Sequence, residues 1–200
     1  KLKKAGYIRT GFECYSLPDS PMTKAFNSGE AHYGASGHQP GGRVNFIAVG
    51  SSSMSNLGND YYVQNFYDIP SYKKSLDKGL LPCFRGMKLS EDDKIRQHAT
   101  QQIRSYFKID FKNFKDQFNI NFSDYFSKEI SYLKEMIEDD LIELTHDGIY
   151  LSEIGKDFVQ NIMNVFDKFD PPNKSNSERL ETIKKAKSDQ AKVQDSLETL

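Results

Sequence analysis

The sequence predicts an α/β segment followed by a mostly α module, and three observations carry that reading. Residues 6–15 hold β-favouring Tyr7, Ile8, Phe12 and Tyr15, after which Pro18, Asp19 and Pro21 break the run. Residues 44–49, VNFIAV, are apolar at most positions and run straight into Gly50-Ser51-Ser52-Ser53. That is the pattern of a strand covered on both faces in a parallel sheet. From Leu89 onward the apolar spacing becomes that of two-faced helices.

The elements are taken in chain order. A short helix is expected at 22–27, and the Gly-, Ser-, His- and Pro-rich stretch 28–43 reads as a long loop of the kind that meets ligands. The turn at 50–55 sits at the carboxyl end of the expected strand, where α/β folds place ligands. Residues 70–88 read as a connector with a short helix around 71–78.

Ser90 is placed as an N-cap, with Asp93 completing a Ser-x-x-Asp box. Behind it Ile95, Ala99, Ile103, Tyr106 and Phe107 form an inward stripe, while Gln97, Gln101, Arg104 and Lys108 form the wet face. A short amphipathic piece covers 111–118. Ser123 is read as the cap of a helix carrying Phe126, Ile130, Leu133 and Ile137.

The turn at Thr145-His-Asp-Gly148 joins 141–144 to 149–151 as a hairpin. A last helix at 152–169 turns Ile154, Phe158, Ile162, Val165 and Phe169 inward before Pro171 and Pro172 stop it. Helices, hairpin and final helix together predict a winged-helix-like module. The charged tail at 171–200 reads as a solvated helix or a disordered end.

Composition narrows the function classes. With 27 Lys+Arg against 28 Asp+Glu there is no global field for nucleic acid, so binding must come from local sites. Cys14 and Cys83, the two cysteines, stand far apart and build neither a disulfide framework nor a Cys-x-x-Cys site. No apolar run approaches the roughly 20 residues that span a bilayer. A cytoplasmic location and no membrane partner are expected. The chain starts Lys-Leu-Lys-Lys without Met, so it is expected to be a piece of something longer.

Arg85-Gly86 with Leu89-Ser90-x-x-Asp93-x-Ile95-Arg96, Tyr62-Val-Gln-Asn65 upstream and Asp147-Gly148-Ile149 downstream resemble the carboxyl-terminal half of the oxygen-independent coproporphyrinogen III oxidases. These are radical S-adenosylmethionine (radical SAM) enzymes, also called coproporphyrinogen dehydrogenases. The resemblance runs from about Gly6 to Phe169. It implies that residues 1–69 are the end of a partial α/β, TIM-like barrel, that 70–88 connect, and that 89–170 are a helical closing domain.

The implied reaction is oxidative decarboxylation of coproporphyrinogen III to protoporphyrinogen IX in anaerobic heme biosynthesis. The implied cofactors are S-adenosylmethionine and a [4Fe-4S] cluster. That cluster needs a three-cysteine run which this chain lacks, so the fragment by itself is expected to be inactive, with no catalytic residue or metal ligand of its own. Its expected partners are the tetrapyrrole, S-adenosylmethionine and the missing amino-terminal part, in a monomer.

The resemblance implies site residues position by position. His32-Tyr-Gly-Ala-Ser-Gly37 matches a His-Arg-Asn-Phe-Gln-Gly segment whose Gln contacts a second S-adenosylmethionine, which makes Ser36 the cofactor contact. A serine hydroxyl is shorter than a glutamine amide, and Tyr33 and Gly34 replace the family's Arg and Asn, so the second cofactor site is expected to be reshaped or lost. Met54 stands where the family has an Ile against the same cofactor, and Gly50 and Ser51 flank it. Arg85 and His32 are expected to face the substrate, Arg85 with a fork suited to a propionate or, alternatively, to an interdomain salt bridge.

Two other classes stay open beside this one. A related radical SAM enzyme or a carrier acting on heme fits the same architecture. A winged-helix nucleic-acid module fits the helical half, but residues 124–140 carry Lys128 and Lys134 against Asp124, Glu129, Glu135, Glu138, Asp139 and Asp140, which phosphate repels.

Overall fold

The computed structural model describes residues 1–34, 37–41, 45–58 and 60–169. After a 3-10 turn at Lys3–Ala5, the order is β1 (Ile8–Gly11), β2 (Cys14–Ser16), α1 (Pro21–Ser28), β3 (Ala31–Gly34), β4 (Gly37–Pro40), β5 (Met54–Leu57), β6 (Tyr61–Asn65), α2 (Ile69–Asp77) and β7 (Cys83–Lys88). Then come α3 (Glu91–Tyr106), β8 (Lys108–Asp110), α4 (Phe111–Phe118), α5 (Phe122–Tyr125), α6 (Ser127–Tyr132), α7 (Lys134–Glu138), β9 (Ile142–Leu144), β10 (Gly148–Leu151), a 3-10 turn at Gly155–Asp157 and α8 (Val159–Asn164). The fold mixes α and β, and every ladder among the described residues is antiparallel.

Two compact units are present, one spanning residues 1–42 and 93–172, the other centred on 43–92. The first holds the larger core. Ile95, Ala99, Ile103 and Phe107 of the α3 stripe meet Ile109, Phe114, Phe122, Phe126, Leu133, Ile149, Ile162 and Phe166, all buried. Phe111 stacks on Phe122 with ring centroids 4.7 Å apart, and Phe114 meets Phe122 edge-on at 4.9 Å. The aromatic run 107–122 is therefore core, as helical spacing predicts.

The motif residues around Ser90 hold this core together. α3 starts at Glu91, directly after Ser90. Asp93 pairs with Lys168 at 2.5 Å. Arg96 Nη1 meets Glu129 at 2.8 Å and donates to Phe166 O at 3.2 Å, with its Cζ 5.4 Å from the Phe126 ring centre. One guanidinium ties α3 to α6 and to the chain after α8.

Several expectations are corrected. Residues 28–43 contain the β3–β4 hairpin, with Tyr33 opposite His38 and Gly34 opposite Gly37. Of the strand expected at 44–49, the described residues 45–49 do not form a two-faced buried strand. Phe46 makes one bridge to Asn56, while Ile47 and Val49 expose 76% and 87% of their surface. A parallel strand needs a ladder and a layer on each face, and β5 is the sole partner here among the described residues. The connector at 70–88 contains most of α2 and all of β7, so its second part is sheet.

Asn121, two residues before Ser123, is the cap: its side chain accepts from the N–H groups of Ser123 and Asp124 at 3.0 and 3.3 Å. The helix behind it breaks into α5, α6 and α7, with Phe126 and Leu133 fully buried. The final helix is shorter than 152–169. Ser152 accepts from Gly155 N–H at 2.9 Å and opens a 3-10 turn, whose 3.0 residues per turn shift the phase of α8. Ile162 and Val165 turn inward as expected, but Ile154, Phe158 and Phe169 are exposed, and Val159 and Phe166 take the remaining inward places. The tail at 171–200 and the two prolines that open it lie outside the described residues.

Candidate functional site

The second unit presents two of the expected contacts, Met54 and Arg85, on one sheet face. In the β5-β6-β7 sheet Met54 pairs with Gln64 and Gln64 with Arg85, so the three form one row. Directly opposed residues in antiparallel strands project to the same face. Two positions along, the row Asn56, Tyr62, Met87 shares that face, extended by Phe46 through its bridge to Asn56. Met54, an expected cofactor contact, and Arg85, an expected substrate contact, are thus brought to either side of Gln64. Met54 and Met87 are 45% and 41% exposed, which leaves apolar surface beside the Arg85 cation.

Gln64 itself carries no motif signal beyond its place in Tyr62-Val-Gln-Asn65, where alternation puts one polar side chain on the face opposite Val63. Its Oε1 accepts from Arg85 Nε at 2.8 Å and its Nε2 donates to Ser52 O at 3.2 Å. The Arg85 Cζ lies 5.7 Å from the Phe84 ring centre.

The serine turn is less free than its sequence suggests. Gly50 N–H donates to the Tyr72 hydroxyl at 3.0 Å, Ser52 N–H to Phe66 O at 2.8 Å, and the Ser53 hydroxyl to Val49 O at 2.7 Å. Buried Asn65 staples the turn from beneath, donating to Gly50 O at 3.0 Å. Gly50 adopts φ +106, which a side chain rarely tolerates. With these donors engaged within the unit, Gly50 supports the turn, and the half-buried Ser51 side chain has no hydrogen-bond partner among the described residues.

In the first unit the β3–β4 hairpin is gripped by α3, on the face expected to be wet. With its amide oriented so that oxygen meets donors, Gln101 Oε1 accepts from Tyr33 N–H at 2.5 Å, His32 Nδ1 at 3.1 Å and Ser105 Oγ at 3.0 Å, while its Nε2 donates to Tyr33 O at 3.2 Å. Arg104 lies with Cζ 3.5 Å from the Tyr33 ring centre. Tyr106 Oη donates to Ala31 O at 2.7 Å. These side chains are half-buried because a two-stranded hairpin leaves an edge of backbone groups that need partners.

His32 accordingly faces α3 through Nδ1. His38 Nε2 donates to Phe12 O at 2.9 Å and its ring meets Tyr33 edge-on at 4.9 Å. Burial lowers the His38 pKa, opposed by the Phe12 bond; nearby Arg104 adds to the lowering and Glu13 opposes it. Ser36 lies outside the described residues.

The residues present do not fit an iron-sulfur cluster. Cys14 is on β2 and Cys83 on β7, in different units, and three thiolates are needed. Among the described residues no group of three or more His, Cys, Asp or Glu is placed to hold a metal ion. No helix among them is long and apolar enough to cross a membrane. For S-adenosylmethionine the fit is better: Met54 offers an open apolar side chain beside a turn whose geometry is fixed from within.

Comparison with known proteins shows what the chain is similar to. Residues 89–158 match the HemN C-terminal domain family. The chain is 32% identical over 171 residues to the oxygen-independent coproporphyrinogen III oxidase of Pseudomonas aeruginosa, covering 86% of this chain and 37% of that protein. It is 30% identical over 168 residues to the enzyme of the same description from Helicobacter pylori, covering 84% and 36%.

Among solved structures it matches the coproporphyrinogen III oxidase HemN of Escherichia coli, a radical SAM enzyme, with TM-score 0.79 and 27% identity over 84% of this chain and 38% of that one. The chain therefore spans little more than a third of the length of each of these three proteins. In sequence and in fold the chain resembles the carboxyl-terminal part of the oxygen-independent coproporphyrinogen III oxidases, and residues 89–158 match the HemN C-terminal domain family.

Proposed function

We propose that this chain is the substrate-covering part of a radical SAM coproporphyrinogen dehydrogenase, acting in anaerobic heme biosynthesis. The observation that supports this most is the agreement with Escherichia coli HemN across 84% of the chain. Residues 1–69 would form the end of the barrel, 70–88 a connector built of α2 and β7, 89–170 a winged-helix-like closing domain, and 171–200 a charged tail. The order β8-β10-β9, with α4 to α7 between its first and second strands in sequence, supports the winged-helix reading.

The iron-sulfur cluster would be held by another part of the protein. When bound, S-adenosylmethionine and the cluster would supply the one-electron chemistry of the reaction. This chain's share is binding and exclusion of water: within the second unit Met54, Gly50 and Ser51 would contact the cofactor, and Arg85 would meet the tetrapyrrole. A guanidinium pairs with a propionate carboxylate through two parallel hydrogen bonds, which fixes orientation as well as charge.

The test is anaerobic incubation of the complete protein with S-adenosylmethionine, reductant and either coproporphyrinogen III or heme. Protoporphyrinogen formation is expected; tight heme binding without any decarboxylated product would instead favour a heme carrier.

A further inference from the structure

We propose that Gln64 is a positioning residue for Arg85, holding its guanidinium so that the terminal nitrogens present a fork to a carboxylate on the rim of an otherwise apolar ligand. The inference rests on the functional reading above, and it names a residue to which neither the motif nor the resemblance gives a role.

The geometry fixes the Gln64 amide at both ends. Ser52 O can only accept and Arg85 Nε can only donate, so the amide has one satisfactory orientation, oxygen toward Arg85 and nitrogen toward the turn. Arg85 has five N–H donors, and Gln64 engages the one on Nε. Among the described residues neither terminal nitrogen has a hydrogen bond or an ion pair. A cation of this kind on a sheet face, exposed and steered at its stem, is arranged to receive an anion.

Its surroundings specify which anion. Met54 stands in the same row and Met87 two positions along β7, both exposed. That combination suits a flat apolar body with carboxylates at its edge. An unrestrained arginine loses rotamer freedom on binding, and a stem held in advance removes part of that cost. Through Ser52 O the same amide also links the carboxylate contact to the turn that carries Gly50 and Ser51.

The experiment titrates the complete protein with coproporphyrin III and with its tetramethyl ester, by fluorescence, in wild type, Gln64→Met, Gln64→Leu, Arg85→Ala and the Gln64→Met/Arg85→Ala pair. Gln64→Met and Gln64→Leu are expected to weaken binding of the acid about tenfold and leave the ester unchanged. Turnover should show KM raised by a similar factor with kcat retained. Adding Gln64→Met to Arg85→Ala should cost nothing further.

Wild-type affinity in both Gln64 variants, or equal loss of acid and ester, overturns the positioning role. Additive losses in the double variant do the same. If Arg85→Ala keeps the preference for acid over ester, the reading of Arg85 itself falls, an outcome distinct from a failure at Gln64 alone.

Discussion

Gln101 does with one amide what a neighbouring strand does with a peptide unit, meeting both the N–H and the C=O of Tyr33. Replacing it by Leu leaves those two backbone groups unpaired, and a destabilisation of about 2 kcal/mol is expected in urea unfolding, with faster amide exchange at Tyr33. Arg104→Ala removes the cation from the Tyr33 ring face and should cost about 1 kcal/mol.

His38 adds a pH dependence of defined sign. Its pKa is lowered in the fold chiefly by burial, so the unfolded chain takes up the proton first, near the ordinary value of 6.5. The full contribution to stability is present above that value and is lost as pH falls below it toward the folded pKa. Tyr33, Arg104 and Glu13 are the titratable or charged groups around the ring. Unfolding midpoints of His38→Phe should lack the part of the acid slope just below pH 6.5, and an unchanged slope would place the effect elsewhere.

At the scale of elements, the motifs that made the chain recognisable prove to be mostly architectural. Gly148 has no left-handed backbone; it is glycine because a Cβ there would lie 2.3 Å from Ile109 O on the neighbouring β8. Gly155 is tighter still, with a Cβ 1.8 Å from Leu141 O. Gly148→Ala is expected to cost about 1–3 kcal/mol by overpacking, and Gly155→Ala at least as much, both read by thermal unfolding. Arg96→Ala, which strands Glu129 half-shielded from water, should cost about 3 kcal/mol.

Helices with an apolar period were legible before any coordinates: the 111–118 segment coincides with α4, and the α3 stripe is buried apart from Tyr106, which is half-buried. The β3–β4 hairpin was not, because Ala31-His-Tyr-Gly34 and Gly37-His-Gln-Pro40 have no apolar alternation, and partners on α3 supply what the strands lack. VNFIAV erred the other way. Its composition says buried strand, but composition cannot supply the ladder that would bury it, and Ile47 and Val49 lie open.

For the whole molecule, sequence named Met54 and Arg85 separately, and the sheet register is what sets them either side of Gln64 on one face. No one-dimensional pattern encodes that row, since the three residues come from strands separated by a turn and by α2. The chain spans about 37% of the Pseudomonas aeruginosa enzyme, and it carries no cluster ligands of the kind radical chemistry requires. Its proposed contribution is therefore to hold and orient a carboxylate-bearing ring.

The most direct measurement is carbon dioxide released from propionate-labelled coproporphyrinogen III by the complete, cluster-loaded protein without oxygen. Two equivalents per substrate, dependent on S-adenosylmethionine and sharply reduced in Arg85→Ala, are predicted; no labelled carbon dioxide from the loaded protein would contradict the account.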